Sequence, residues 1–173
     1  MKLNVPCYSQ FLDVADQYWM PRACGMTCLK MVLDFHGKET PSILEMCQTG
    51  EKDGGYGKHG WFHDYFLKVA KEHDLEAERG EKIGEIMGLQ KIHDELKAGY
   101  PIIVSTTKHI LGQQKFHMVV LTGYEEDEDS SIVGFYFNEP ESLYREEGKD
   151  VFVDIESFKY GWRRMAIFIS PSS

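Results

Sequence analysis

The order in which two hydrophobic periodicities follow one another constrains this chain more than any other feature. Up to about residue 98 the apolar residues recur at helical spacing, and after Pro101 they fall into short runs rich in β-branched and aromatic residues. From Cys24 onward Cys28, Leu29, Val32, Leu33 and Phe35 or His36 share one helical face, and Gly37 supplies the stop. Thr40-Pro41 reads as an N-cap followed by proline at the first helical position, opening a short helix to about Cys47. Residues 61–73 repeat the pattern through Phe62, Phe66, Val69 and Ala70, and residues 85–98 through Ile86, Leu89, Ile92 and Leu96 before Gly99. Residues 4–10 read as extended, 11–22 as a polar, aromatic loop, and 75–79 as a short strand. Strands are then expected at 101–106, 116–124, 132–138, 151–154 and 164–170. Helices first and strands later is the α+β pattern, N-terminal helices packed on a mainly antiparallel sheet. With 173 residues and no repeat or linker, a single domain spanning 1–173 is expected.

Charge narrows the partners. A formal net charge of −9 argues against nucleic acid or an anionic membrane, whose phosphates are bound through Lys and Arg. It weakly favours cationic or neutral substrates, although much of the excess sits in the acidic run 125–129, a solvated loop. No apolar run reaches the length of a membrane helix, and the N-terminus lacks a basic segment followed by an apolar one. As it stands the chain reads as cytoplasmic, and a trimmed exported protein would look the same. Cys7, Cys24, Cys28 and Cys47 are expected as free thiols, because a chain with this much apolar residue does not need disulfides. Five glycines within residues 49–60 lack the spacing of a phosphate loop and suggest a loop beside a cleft.

The residues with chemistry to offer begin at Cys24, which is followed at once by Gly25 and an apolar run. A helix N-terminus presents unpaired N–H groups and roughly half a positive charge, which favours thiolate over thiol. Far along the chain His117 opens a strand-like run whose alternation sends it, Val119 and Leu121 to one face. Nucleophile and general base could be these two, although a buried small cysteine and a half-buried sheet histidine produce the same pattern. His109, in an expected loop with Lys108 and Lys115, is a weaker candidate for that base. A third group should come from the next strand: Asn138 or Glu139 could hold the imidazole, although Asn138-Glu139-Pro140 is also a good turn. The Cys24 N–H is one oxyanion donor by position, and Gln10 or Gln17 could supply a second. Cys24 and Cys28 with His59 and His63 have zinc-like spacing, but Gly60 lies between the histidines and no further cluster joins them. No metal and no cofactor are therefore expected.

Together these segments resemble the bacteriocin-processing, double-glycine-leader cysteine peptidases and their relatives within the papain-like superfamily. Four pieces carry the resemblance. Val5-Pro6-Cys7-Tyr8-Ser9-Gln10 is similar to the family's N-terminal segment, and Ala23-Cys24-Gly25-Met26-Thr27-Cys28-Leu29 to its nucleophile motif. Leu96-Lys97-Ala98-Gly99-Tyr100-Pro101-Ile102-Ile103-Val104 resembles its Leu-x-x-Gly-x-Pro-strand element. Phe116-His117-Met118-Val119-Val120-Leu121-Thr122-Gly123-Tyr124 resembles its histidine strand, with Asn138-Glu139-Pro140 where relatives carry Asn-Asp-Pro. Two differences stand out: Met26 replaces the usual proline or alanine, and Glu139 replaces aspartate. The resemblance implies a papain-like fold, a Cys24 nucleophile, a His117 base, a glutamine in the oxyanion hole and a carboxylate or amide on His117. It implies hydrolysis of a peptide or related amide. Acyl transfer at the same site, or a peptide-binding module that kept the fold and lost catalysis, stay open.

Overall fold

The computed structural model describes the backbone of residues 1–110 and 113–173 and the side chains of residues 1–107 and 116–173. Its helices are α1 (Gln10–Asp13), α2 (Cys24–Phe35), α3 (Ile43–Lys52), α4 (His63–Glu72), α5 (Glu85–Lys97) and α6 (Ile155–Gly161). Its strands are β1 (Tyr56–Gly57), β2 (Gly60–Trp61), β3 (Leu75–Gly80), β4 (Ile102–Ile110), β5 (Gln113–Glu126), β6 (Ile132–Asn138), β7 (Val151–Asp154) and β8 (Trp162–Pro171). A six-stranded sheet in the order β3-β8-β4-β5-β6-β7 pairs antiparallel throughout, while β1 and β2 form a separate hairpin.

Period-two alternation explains what packs where. Ile103 lies between Val120 and Ile167 across the sheet, and all three join the core formed with α2, α3 and α4. Ile102, one residue earlier, lies between Leu121 and Phe168, and these three join a second core with α5 and α6. Both faces of the central strands are thus buried, which is why they read as nearly continuous apolar runs. The α+β expectation holds, with one addition: the N-terminal helices cover one face, and α5 and α6 cover the other. The helix α6 lay outside the sequence reading; Asp154 starts it by accepting the Ser157 N–H at 2.9 Å.

Local boundaries shift for identifiable reasons. Ser42, not Thr40, caps α3, its Oγ accepting Glu45 N–H at 3.2 Å, while Thr40 is turned toward Asp34 and Lys30. The helix runs past Cys47 through Gly50, where a Cβ would collide with the Trp61 ring. The expected glycine loop is therefore half helix and half β1–β2 hairpin. Gln10 does not continue an extended segment but opens the single turn α1, capped by Ser9. The backbone of β4 and β5 also continues as strand through residues 108–110 and 113–115, where a loop was expected; the side chains of Lys108, His109 and Lys115 lie outside the described residues. No helix among the described residues is long and apolar enough to cross a membrane.

Candidate active site

Helix α2 delivers Cys24 as its first residue. Ala23 is the N-cap and no side chain caps the helix, so the N–H groups of the first turn stay open toward whatever lies beside the sulfur. Gly25 lets this turn approach its neighbours: an added Cβ would lie 2.8 Å from Phe66 Cζ and 3.0 Å from Trp61 Cδ1. Strand β5 delivers the partner. His117 Nδ1 is 3.4 Å from Cys24 Sγ, across 93 residues of sequence. The Met118 N–H donates to the same sulfur at 3.3 Å, and Met118 O lies 3.2 Å from it.

The opposite side of the imidazole is fixed. His117 Nε2 bonds to Glu139 Oε1, just beyond the end of β6, which pairs with β5. The same Glu139 oxygen accepts the Glu141 N–H at 2.9 Å. Glu141 lies 3.7 Å from His117 Nδ1 through its own Oε1 and is only 6% exposed, so two carboxylates flank one buried ring.

This geometry sets the protonation states. The Cys24 thiol is drawn down to about 6: the neighbouring Cys28 thiol bonds to it, burial resists, and the His117 charge and hydrogen bond add to the fall. Burial opposes the His117 imidazolium, but the Cys24 thiolate and Glu139 outweigh it and raise the ring to about 10. Between those values the pair is thiolate and imidazolium. Burial instead pushes Cys7 up to about 11 and Cys47 up to about 12, and raises Cys28 well above an ordinary thiol. All four cysteines are free.

Of the other residues the sequence singled out, Asn138 departs from its expected role. It is fully buried, donates to Val5 O at 3.2 Å and Pro6 O at 3.3 Å, and accepts the Asp150 N–H at 3.0 Å. It ties the N-terminal segment to the sheet, and Glu139 alone of the two reaches His117. Gln10 is fully buried, its Nε2 donating to Met20 O at 2.9 Å in the 3₁₀ turn Met20–Arg22 that leads into Cys24. Its backbone N–H donates to Pro140 O at 2.8 Å, joining it to the Glu139 loop. Gln17 is exposed in a turn. His63 bonds Glu81 at 3.2 Å, and His59 is exposed; no metal-binding cluster occurs among the described residues.

Three contributors went unread in the sequence: Glu141, the Cys28 thiol and Arg163. Glu139-Pro140-Glu141, carboxylates on either side of a proline, was the available signal for the first. Cys28 reads from the sequence as a core residue or as half of a zinc-spaced pair, not as a partner of the Cys24 sulfur, and nothing near Arg163 in the chain marks it. Cys24, His117 and Glu141 line an open groove of about 460 Å³, walled by Trp61, Phe116 and Arg163. Behind the ring lies a smaller cavity of about 150 Å³, lined by Val119, Leu121, Phe137 and Phe158 together with His117 and Glu139.

Comparison with known proteins agrees with this architecture. The Peptidase_C39 like family matches residues 2–166. A double glycine motif protease from an AMS/PCAT transporter, solved in complex with the leader peptide, superposes with a TM-score of 0.65 at 23% identity over 99% of this chain and 94% of that one. The peptidase domain of Streptococcus ComA, a bi-functional ABC transporter involved in a quorum sensing pathway, gives 0.61 at 21% identity over 88% and 93%. No curated protein sequence matches the chain.

Proposed function

The chain belongs to the Peptidase_C39 like family, and from that premise we propose that it is a cysteine peptidase that hydrolyses peptide bonds through Cys24, His117 and Glu139. The observation that carries this reading is the unbroken contact series from Cys24 Sγ to His117 Nδ1 and from His117 Nε2 to Glu139. The sulfur anion attacks the scissile carbonyl carbon, and the C=O electron pair moves onto oxygen. That oxyanion is received by the Cys24 N–H at the open end of α2 and by the second N–H of Gln10, whose first is held by Met20 O. Imidazolium His117 protonates the amine nitrogen as the C–N bond breaks, leaving a thioester on Cys24. Neutral His117 then takes a proton from water as the oxygen attacks the thioester, the carboxylic acid leaves, and the thiolate–imidazolium pair is restored. Glu139 keeps Nδ1 aimed at the sulfur and balances the ring's charge.

A peptide as substrate is supported by the structural neighbour solved with a leader peptide. Replacement of aspartate by glutamate before Pro140 does not remove the third group, because the longer side chain still reaches the ring. The test is Cys24→Ala. Iodoacetamide at neutral pH should label the parent once and the variant not at all, and cleavage of a random peptide pool should vanish with the label. Equal labelling of the two proteins would overturn the assignment.

A further inference from the structure

We propose that the groove at Cys24 selects acidic peptides, with Arg163 as the residue that receives a substrate carboxylate beside the scissile bond. This rests on the peptidase reading above and extends it to substrate class. Overall the protein is acidic, with 28 Asp and Glu against 19 Lys and Arg. The groove reverses that sign. Apart from the Cys24–His117 pair, its lining among the described residues includes Arg22, Lys58 and Arg163 but one carboxylate, the buried Glu141. All three cations are exposed, and among the described residues none has a carboxylate within ion-pair distance. The expectation of cationic or neutral substrates, drawn from net charge, is therefore replaced by a local one.

Arg163 is held in place rather than left to wander in solvent. Its guanidinium carbon sits 3.5 Å from the centroid of the exposed Phe116 ring, and its Nη1 donates to Ser105 Oγ at 3.2 Å. Ser105 is the cross-strand partner of Met118, the residue whose N–H reaches the Cys24 sulfur. Strands are spaced about 4.8 Å apart and an extended peptide advances about 3.3 Å per residue, so a side chain one or two positions from the scissile bond reaches Arg163. Backbone geometry produces the placement. Between Val104 and Thr106 the β4–β8 register shifts, and Arg164 adopts φ 58, a left-handed conformation uncommon outside glycine. That strained residue is secured by Glu85 at 2.8 Å and by the Ile83 N–H to Arg164 O bond at 3.0 Å. The irregularity sits beside Arg163 at the groove, where stored backbone strain commonly serves function.

The cations come from three separate elements: the turn before α2, the β1–β2 hairpin and β8. A ring of that kind suits several acidic side chains along a peptide better than a single terminal carboxylate. With its Cζ over the Phe116 ring and Nη1 on Ser105, the Arg163 guanidinium keeps further N–H groups that can donate to a carboxylate.

Alkylation of Cys24 by iodoacetate and by iodoacetamide tests the charge without requiring turnover. The ratio of the two rates, divided by the same ratio for glutathione, should exceed one in the parent and fall about three-fold or more in Arg163→Gln. Arg163→Lys should retain most of the preference, and raised salt should weaken it. In a second arm, C-terminally amidated peptides with Glu flanking the cleavage site should be cut faster than their Gln counterparts, and that advantage should disappear in Arg163→Gln. A reactive Cys24 with no iodoacetate preference, or one unchanged in Arg163→Gln, overturns this inference alone. So does a preference for neutral peptides bearing a free C-terminal carboxylate. A Cys24 inert to both reagents overturns the proposed peptidase and this inference with it.

Discussion

Substituting Glu139 by Gln separates the charge on the imidazole from the hydrogen bond that orients it. Both the His117 ring and the Glu141 N–H bond to the same oxygen, Glu139 Oε1. A glutamine amide oxygen in that place can accept both bonds, so the exchange removes the negative charge and little else. Loss of an adjacent counter-ion moves a buried titrating group by about one to three pH units, roughly 1.4–4 kcal/mol. The sign follows from the ion pair. Imidazolium is the form that Glu139 favours, so His117 should fall from about 10. The thiolate in turn loses part of its cation, so Cys24 should rise from about 6, by less. Iodoacetamide labelling followed by intact mass across pH 4–10 reads the lower limb directly. The other three cysteines stay silent below about pH 9, since burial holds each of them higher. Peptide hydrolysis, which also needs His117 protonated, reads both limbs. The active plateau should narrow from both ends in Glu139→Gln, with labelling at pH 7.5 reduced by no more than about ten-fold. Glu139→Ala, which also frees the ring to turn, should lose more than Glu139→Gln at every pH. Overlay of the Glu139→Gln and parent profiles would refute the argument, because then Glu139 does not hold the ring's charge.

Asn138→Ala should cost roughly 2–4 kcal/mol, from three hydrogen bonds at about 1 kcal/mol each and the buried groups they leave stranded. Urea unfolding would measure it, and the pH dependence of Cys24 labelling in the folded variant should stay put; a displaced profile would return Asn138 to the catalytic set. Gly25→Ala forces a methyl against the fully buried Phe66, and overpacking of about 1–3 kcal/mol should lower the thermal midpoint by several degrees. Gln10→Ala should reduce kcat/KM about a hundred-fold while the iodoacetamide rate holds, since alkylation builds no oxyanion. Equal losses in both assays would make Gln10 a prop for the turn before Cys24.

The long-range pairing was legible because each half carries its own signal: Cys24-Gly25 ahead of an apolar helix, His117 at the head of an apolar strand. Asn138 and Glu139 were harder to separate. Adjacent residues at a strand end point to opposite sides, and nothing in their order says which side faces the ring. The seven-residue α6 was hidden because its cap, Asp154, is also the last residue of β7. The β4–β5 hairpin was underestimated because most of its outer residues are polar, and backbone pairing asks nothing of side-chain type. Arg22, Lys58 and Arg163 come together only by folding, and a formal charge of −9 pointed the other way.

The small chamber behind His117 gives the ring a second neighbour, distinct from the groove that Cys24 lines. Val119, Leu121, Phe137 and Phe158 line it, Cys24 does not, and its walls are mainly hydrocarbon. A compact oily molecule seated there would press on the imidazole from the rear and tilt it off the thiolate. On the proposed peptidase reading, such an agent would lower Cys24 reactivity from outside the groove that Cys24 lines.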